Sequence, residues 1–260
     1  MKNLSVVIIT KNESKNIARC LKSVADLSND IIIIDSFSDD DTKDICNNFN
    51  LRFFEQNFTD YSSQKNYGNN LSKNEYILSI DADECLSDEL KNSIESINID
   101  KSQNKAFTFN RLNHHSGKPI KHGGWYPDKK LRIFNKNYGE WQGEIHEKIV
   151  FSRSSEIQHL KGDILHYTYN SVEEHLNQAI KFSNLNAQSD FKNKRRVHFI
   201  QQYTDPFFRF IQVYFLKSGF LDGKIGLNIA KITAHATFLR RKGLISLNKQ
   251  RNICHKIKIY

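Results

Sequence analysis

Four consecutive isoleucines at residues 31–34 place the strongest constraint on how this chain can fold. A short, unbroken β-branched run predicts a strand that is buried on both faces, and such strands are typical of parallel sheets covered by helices on both sides. Apolar runs alternate with segments of helical spacing throughout residues 1–100. This alternation of strand and helix predicts an α/β protein with a parallel sheet.

The other elements of this half follow from the same two periodicities. Strands are predicted at residues 4–10, 51–54 and 76–80. Helices are predicted at residues 17–24, 42–49 and 62–71, with Ser14 as the N-cap of the first helix. The first strand is not followed by Gly-x-Gly-x-x-Gly or by a Walker-type Gly-Lys-Ser/Thr, so the dinucleotide and P-loop signatures are absent.

The rest of the chain differs in character. Short apolar runs at residues 106–111, 130–134 and 164–169 predict further strands between glycine-containing loops, which indicates a mixed-sheet extension. From residue 172 onward the spacing is helical. The sequence therefore predicts one α/β domain over residues 1–170 and a helical extension over residues 171–260.

Charge is distributed unevenly along the chain. Residues 1–100 contain 10 Lys and Arg against 18 Asp and Glu, whereas residues 191–260 contain 15 against 2. A basic tail, here with Arg240, Arg241 and Lys242 and an aromatic stretch at residues 207–215, predicts an anionic partner such as a membrane surface or a phosphorylated acceptor. Because one half is acidic and no nucleic-acid motif is present, we predict no nucleic-acid partner. The four scattered cysteines and the lack of a signal-peptide pattern at residues 1–13 predict a cytoplasmic protein with reduced thiols.

Carboxylates follow two of the predicted strands. Asp81 and Asp83 come after residues 76–80, and Asp35 ends the isoleucine strand. Because the carboxyl ends of parallel strands form the ligand-binding edge of such sheets, these oxygens suit Mg²⁺ or Mn²⁺ bound together with substrate phosphates. The alternative for residues 81–89 is an acidic turn that opens a helix, and for Asp39 and Asp41 it is helix capping. Thr10, Asn12 and Glu13, and Gln64 and Lys65, are predicted at the same edge.

Four segments taken together resemble glycosyltransferase family 2, whose members are inverting enzymes with the GT-A fold. They are residues 5–13, 33–42, 64–68 and 81–84. Three later segments, residues 125–128, 132–134 and 141–147, are similar to the lipopolysaccharide core β-glucosyltransferase branch. The resemblance implies a Rossmann-like, mostly parallel mixed sheet in which residues 1–100 bind the nucleotide sugar and residues 101–170 bind the acceptor.

The resemblance also implies a nucleotide-diphosphate sugar as donor, with a UDP-sugar favoured, and a role for each matching residue. The base, ribose and diphosphate would be contacted by Thr10, Asn12, Glu13, Asp35, Gln64, Lys65, Asp81 and Ala82. Asp83 would bind the metal, with Asp81 and His166 completing the site. Apart from the resemblance, Trp125 and Trp141 are candidates to stack on sugar rings, with core packing as the alternative for both. The chain departs from many relatives after the second strand, where Asp35 is followed by Ser-Phe-Ser instead of a second acid.

Transfer from a nucleoside diphosphate needs a base that deprotonates the attacking hydroxyl. Glu147 is the first candidate, Glu144 is its competitor, and His146 would orient the base or a phosphate. The predicted acceptor is a glycolipid or phosphorylated oligosaccharide such as lipopolysaccharide core, with the enzyme peripheral on the inner face of the cytoplasmic membrane. Two other functions stay open on the sequence: a metal-dependent nucleotidyltransferase and a non-catalytic, membrane-associated GT-A module.

Overall fold

The computed structural model describes residues 3–99, 105–143 and 147–257, with side chains up to residue 251. The packing of Cα atoms divides the chain into two compact units. The first comprises Met1–Leu112 and Pro127–Tyr167, and the second comprises Asn113–Tyr126 and Thr168–Tyr260. The domain boundary near residue 170 stays a prediction; the structure groups an early segment, Asn113–Tyr126, with the C-terminal residues.

The centre of the first unit is a set of four parallel strands. Its strands are β1 (Leu4–Thr10), β2 (Ile31–Asp35), β3 (Arg52–Glu55) and β4 (Tyr76–Asp81), in the spatial order β3-β2-β1-β4. All three pairings are parallel. Thr10 pairs with Asp35 and Ile9 with Asp81, so the carboxyl ends of β1, β2 and β4 lie at one edge. The four predicted strands are confirmed.

Alternate residues of the central strands enter two separate hydrophobic cores. Ile31 and Ile33 pack in one core with the apolar face of α1 (Ile17–Val24), and Ile32 and Ile34 pack in the other. The second face is covered by α3 (Tyr61–Leu71), where a Cβ on Gly68 would lie 2.4 Å from a methyl of Val7. The prediction of a sheet buried on both faces is therefore confirmed.

The helix ends differ from the sequence-based prediction in two places. Asn16, not Ser14, occupies the N-cap position of α1, and the Ser14 N–H instead donates to Asp40. The next helix, α2 (Thr42–Cys46), ends three residues earlier than predicted. Ser87 caps α4 (Asp88–Glu95), and the acids in its first turn follow the helix-opening alternative.

Of the remaining strands, all but two extend the sheet. They are β5 (Glu84–Leu86), β6 (Lys105–His115), β7 (Lys118–Pro119), β8 (Asp128–Asn135), β9 (Gly139–Gln142), β10 (Lys148–Phe151) and β11 (Glu156–Tyr169). The order continues from β4 through β8, β6 and β11 to β5, with β7 beside β6, while β9 and β10 form a separate antiparallel pair. This is the mixed α/β architecture that the sequence predicts, with β6 and β11 longer than predicted.

The second unit is mainly helical. It contains α5 (Val172–Lys192), α6 (Gln201–Ile211), a π-helical segment (Gln212–Leu216), a 3₁₀ turn (Gly219–Asp222) and α7 (Gly223–Ile257). Arg240 on α7 forms a bidentate ion pair with Asp190 on α5, at 2.7 and 2.9 Å, and Arg241 contacts Asp205 at 2.7 Å. These two arginines join helices of the second unit, and the expectation that they face a membrane or an acceptor stays a prediction. None of the helices in the described part of the chain is long and apolar enough to span a bilayer.

Candidate active site

The carboxyl edge of the parallel strands gathers most of the predicted site residues of the first unit. Thr10 is buried there, and among the described residues its hydroxyl has no hydrogen-bond partner. Asp35 ends β2 at 1% exposure, and Asp81 ends β4 with a side chain that is 27% exposed. The edge therefore presents a polar surface that is partly open, as expected at the ligand-binding edge of such a sheet.

The loops after β1 and β2 are held together by side-chain hydrogen bonds. The two oxygens of Asp35 accept from the N–H and the hydroxyl of Ser38, at 2.7 and 2.5 Å. Asn12 has a left-handed backbone with φ of 55°; its N–H donates to the Ser38 hydroxyl at 2.8 Å, and its side-chain oxygen accepts from the Asp39 N–H at 3.0 Å. Asn tolerates this backbone better than most residues. Ser38 thus fixes the loops predicted to hold the base and ribose.

Gln64, on the first turn of α3, is buried behind this edge. Its amide nitrogen donates to the Ser36 hydroxyl at 2.7 Å and to the Gln56 carbonyl at 3.1 Å. Asp60 caps the same helix by accepting from the Ser63 N–H. Gln64 therefore braces the loop after β2, and its amide nitrogen is already used.

Lys65, the next residue of α3, lies at the centre of the site. Its side chain is 2% exposed, and its ammonium contacts Glu147 Oε1 at 2.8 Å and Asp81 Oδ1 at 3.1 Å. The ammonium also lies 4.6 Å from the centre of the Trp141 ring. A buried cation is tolerated when it is paired, so the two carboxylates and the ring hold one charge at a fixed point of the edge.

A second buried cation, Arg132 on β8, lies on the other side of Asp81. Its guanidinium contacts Asp81 Oδ2 at 2.9 Å and Glu84 Oε1 at 2.9 Å, and the Glu84 side chain is fully buried. Burial opposes ionisation of Asp81, but the charges of Lys65 and Arg132 outweigh it and hold the pKa of Asp81 well below its usual range. Burial likewise opposes the charge on Arg132, yet Glu84 and Asp81 raise its pKa above the ordinary value.

Asp83 and His166 form a separate pair, with His166 Nε2 3.0 Å from Asp83 Oδ2. The backbone fixes this geometry, because the Tyr167 N–H donates to the Asp83 carbonyl at 3.1 Å and β11 pairs with β5. Glu13 belongs to the same neighbourhood. Burial raises the pKa of Glu13, a hydrogen bond from Asn16 opposes the shift, and the charge of Asp83 adds to it.

The position of these side chains determines which of them could bind a divalent cation. In the parts of the chain that the structure describes, there is no group of three or more His, Cys, Asp or Glu side chains arranged to hold a metal. Mg²⁺ and Mn²⁺ are commonly bound by one or two carboxylates and completed by substrate phosphates and water, and Asp83 satisfies that requirement, with His166 beside it. Both oxygens of Asp81 already contact cations, so the geometry favours Asp83 over Asp81 as a direct ligand.

Two predicted residues, Ala82 and Trp125, make other contacts. The side chain of Ala82 is packed in the hydrophobic core, which leaves its backbone for any ligand contact. Trp125 belongs to the second unit, where its ring lies 6.1 Å from Tyr169 and 5.7 Å from His175. Glu144 and His146 lie outside the described residues.

Three residues of the site were not assigned a role from the sequence: Arg132, Glu84 and Ser38. The sequence could have indicated a role for Arg132, because it is a charged residue within the predicted strand 130–134. A charged residue that is buried in a strand needs a partner of opposite charge. Glu84 directly follows Asp83, and Ser38 is three residues after Asp35, within reach of a local turn. Together with Lys65 they make an edge that can hold a diphosphate next to a carboxylate able to accept a proton.

The chain is similar to several known proteins. The sequence matches the family model for glycosyl transferase family 2 over residues 5–160. An uncharacterized glycosyltransferase of Rickettsia typhi is 30% identical, over 97% of this chain and 90% of that protein. The lipopolysaccharide core biosynthesis glycosyltransferase LpsC of Rhizobium meliloti is 23% identical, over 91% of this chain and 92% of that protein.

Among solved structures, S. aureus TarS 1–349 in complex with UDP is 15% identical and superimposes with a TM-score of 0.48, covering 96% of this chain and 92% of that one. The family match spans more than half of the chain, and the mixed α/β sheet followed by C-terminal helices is the predicted architecture. This chain is a glycosyltransferase and belongs to glycosyl transferase family 2.

Proposed function

We propose that this enzyme transfers a sugar, a hexose such as glucose, from a nucleoside-diphosphate donor to a lipid-linked or cell-envelope glycan, with inversion at the anomeric carbon. A UDP-sugar is the favoured donor. The observation that carries the proposal is the position of Lys65 between Asp81 and Glu147, at the same strand edge as the Asp83–His166 pair. One end of this arrangement suits a diphosphate, and the other suits an attacking hydroxyl.

On the donor side, Asp83 and His166 are the residues that would hold Mg²⁺ or Mn²⁺. A divalent cation bound there supplies a Lewis acid that stabilises the charge of the departing diphosphate. Lys65 provides a second, protein-borne positive charge for the same group, and Thr10, Asn12 and Asp35 line the loops on which the base and ribose would lie. The buried, unpartnered hydroxyl of Thr10 is available to a ligand there.

On the acceptor side, Glu147 is the proposed base. An acceptor hydroxyl oxygen forms the new bond to the anomeric carbon, the bond from that carbon to the diphosphate oxygen breaks, and the hydroxyl proton passes to Glu147. In the structure Glu147 is paired with Lys65 at 2.8 Å. A donor diphosphate would give Lys65 a new anionic partner, so donor binding would free Glu147 for the acceptor; Glu144 stays the competing base.

The acceptor class is supported by a relative. LpsC is described as a lipopolysaccharide core biosynthesis glycosyltransferase, and it aligns over almost the whole of this chain. We therefore propose a lipopolysaccharide-core-like glycolipid as acceptor. Such an acceptor is anchored in a membrane, so the enzyme would work as a peripheral protein on the cytoplasmic face of the inner membrane.

The second unit has a surface that suits this location. Large apolar side chains on α6 and just beyond it are strongly exposed, among them Phe207 at 62%, Phe208 at 65% and Leu216 at 77%. Exposed cations lie in the same segment, including Arg209 and Lys217. Contiguous exposed apolar residues interspersed with cations are typical of helices that lie in the interface of an anionic bilayer.

Replacing Phe207 and Phe208 together by serine is expected to weaken binding to anionic vesicles. An inserted phenylalanine contributes about 1.5 kcal/mol or more, so the pair should change the partition constant by roughly 100-fold or more. Vesicle flotation of the full chain measures this, with Phe58→Ser/Tyr61→Ser in the first unit as the matched control, since those two rings are each 51% exposed. Equal binding by both variants would contradict this surface as the membrane contact.

The first experiment for the enzymatic proposal is a thermal-shift screen of the full chain against UDP, GDP and their sugars, with and without Mn²⁺. A ligand that binds the folded state at 100 times its Kd stabilises that state by about 2.7 kcal/mol. We expect a rise in Tm with UDP or a UDP-sugar that requires Mn²⁺. A chain that is stabilised by none of these ligands, with or without metal, would contradict a donor site at this edge.

A further inference from the structure

The cavity that contains Asp81 and Glu147 is lined by more cationic than anionic side chains. Its volume is about 490 Å³, within the range of pockets that bind small ligands. The two carboxylates share its lining with five cationic side chains: Arg111, Lys129, Lys130, Arg132 and Lys148. All of these residues belong to the first unit.

Three of the five cations already have carboxylate partners. Arg132 is bound by Asp81 and Glu84, as described above. Arg111 contacts Asp128 at 2.8 Å, and Lys130 contacts the same carboxylate at 3.0 Å. The two carboxylates of the lining are also paired, because Glu147 contacts the buried ammonium of Lys65 and Asp81 contacts both Lys65 and Arg132.

Lys129 on β8 and Lys148 on β10 remain. Both are exposed, and neither forms an ion pair with any of the described residues. Among the described residues, their charges are therefore uncompensated, whereas the other charges of the lining are paired. A half-enclosed site of this kind attracts an anion, because its surroundings screen charge less than bulk water does.

We propose that this cavity is the acceptor subsite and that it takes a sugar carrying a phosphate or a carboxylate, with Lys129 and Lys148 pairing with that anion. The inference rests on the proposed function, since it assumes that the bond forms beside Asp81 and Glu147. An acceptor hydroxyl that reaches Glu147 must enter this cavity, and the anionic group of the same sugar ring then lies among the lysines. The charge on the acceptor sets its orientation, and with it which hydroxyl is presented to the base.

The test is the direct binding of small probes to the full chain, measured by isothermal titration in the presence of UDP and Mn²⁺. The probes are glucose, glucose 6-phosphate, glucuronate and inorganic phosphate. The wild type should bind the two charged sugars roughly tenfold more tightly than glucose, which corresponds to about 1.4 kcal/mol. Lys129→Gln/Lys148→Gln should bind all three sugars alike. Lys22→Gln/Lys161→Gln, which removes the same charge from two exposed positions outside the cavity, should behave as the wild type.

The other outcomes separate the alternatives. Equal binding of charged and neutral sugars by the wild type would overturn the proposal, as would inorganic phosphate that binds as tightly as glucose 6-phosphate. A loss of UDP affinity in Lys129→Gln/Lys148→Gln, titrated without sugar, would assign the two lysines to the donor diphosphate and also overturn it. If no nucleoside diphosphate binds the wild type, the proposed function fails. The preference for charged sugars is a separate measurement, so its failure can be distinguished from the failure of the proposed function. A preference for only one of the two charged sugars would support the subsite and identify the anion.

Discussion

Replacing Arg132 by methionine is expected to lower the free energy of unfolding of the first unit by about 3–5 kcal/mol, because removing one member of a buried ion network leaves its partners uncompensated. The guanidinium is the shared partner of Asp81 and Glu84, both at 2.9 Å. Methionine fills similar volume, so the lost charge, and not a cavity, determines the effect. Glu84, whose side chain is fully buried, carries most of the cost.

Denaturant unfolding followed by tryptophan fluorescence measures this change. The chain has two tryptophans, Trp141 in the first unit and Trp125 in the second. A Trp125→Phe background therefore leaves Trp141 as the reporter of the unit that contains Arg132. Arg153→Met is the matched control, because Arg153 is exposed and its guanidinium lies 3.2 Å from the centre of the Tyr138 ring. A cation–π contact at an exposed site contributes about 0.5–1 kcal/mol, so this substitution should cost no more than that.

A second variant separates charge from packing. Adding Glu84→Gln to Arg132→Met removes the buried charge, whose remaining cationic partner, Arg111, lies 3.5 Å away. Part of the lost stability should therefore return, and the two substitutions should be clearly non-additive. If Arg132→Met costs no more than Arg153→Met, the guanidinium is not the neutralising centre of this network. Additive effects of Glu84→Gln and Arg132→Met would lead to the same conclusion.

The parallel strands and their shared edge could be predicted from the sequence because both depend on local information. An apolar run identifies each strand, and parallel pairing alone brings Asp35 and Asp81 to the same edge. The contact between Asp35 and Ser38 is also local, and a turn-based argument could have found it. For these features, residues that are close in the sequence, or at matching ends of paired strands, are also close in the structure.

The ion network could not be predicted in this way. Arg132 and Asp81 are 51 residues apart, and Lys65 and Glu147 are 82 apart, so no spacing rule connects them. Trp125 shows the converse problem. Residues 125–128 resemble a segment of the lipopolysaccharide core β-glucosyltransferase branch, yet residues Asn113–Tyr126 pack with the C-terminal helices in the second unit. Which distant segments pack together is decided by the whole fold, and short motifs do not record it.

The two carboxylates assigned to donor and acceptor chemistry should fail in different ways when each is replaced by its amide. Asp83→Asn keeps the size of the side chain but removes the charge that would hold a divalent cation next to His166. Even partners one step removed from a metal change its affinity by roughly 10–100-fold, so loss of a direct ligand should reduce metal-dependent UDP binding by roughly 100-fold or more. Transfer should fall with it.

Glu147→Gln should behave differently, because its role is to accept a proton. The amide cannot do so, and the loss of a general base typically reduces the rate by roughly 10²–10⁴-fold. Metal-dependent stabilisation by UDP should persist, since Asp83, His166 and Lys65 are unchanged. Thermal shift with UDP and Mn²⁺ measures binding, and release of UDP from the best-stabilising sugar donor measures turnover.

Asp88→Asn serves as the control for both variants, because Asp88 is an exposed acid in the first turn of α4. Its replacement should lower stability by less than about 1 kcal/mol and should leave both UDP binding and turnover unchanged. Metal-dependent UDP binding that survives Asp83→Asn would remove Asp83 from the metal site. Full turnover by Glu147→Gln would transfer the role of the base to Glu144 or to another group. Because the first variant should lose binding and the second should lose turnover alone, the pair separates the donor half of the site from the acceptor half.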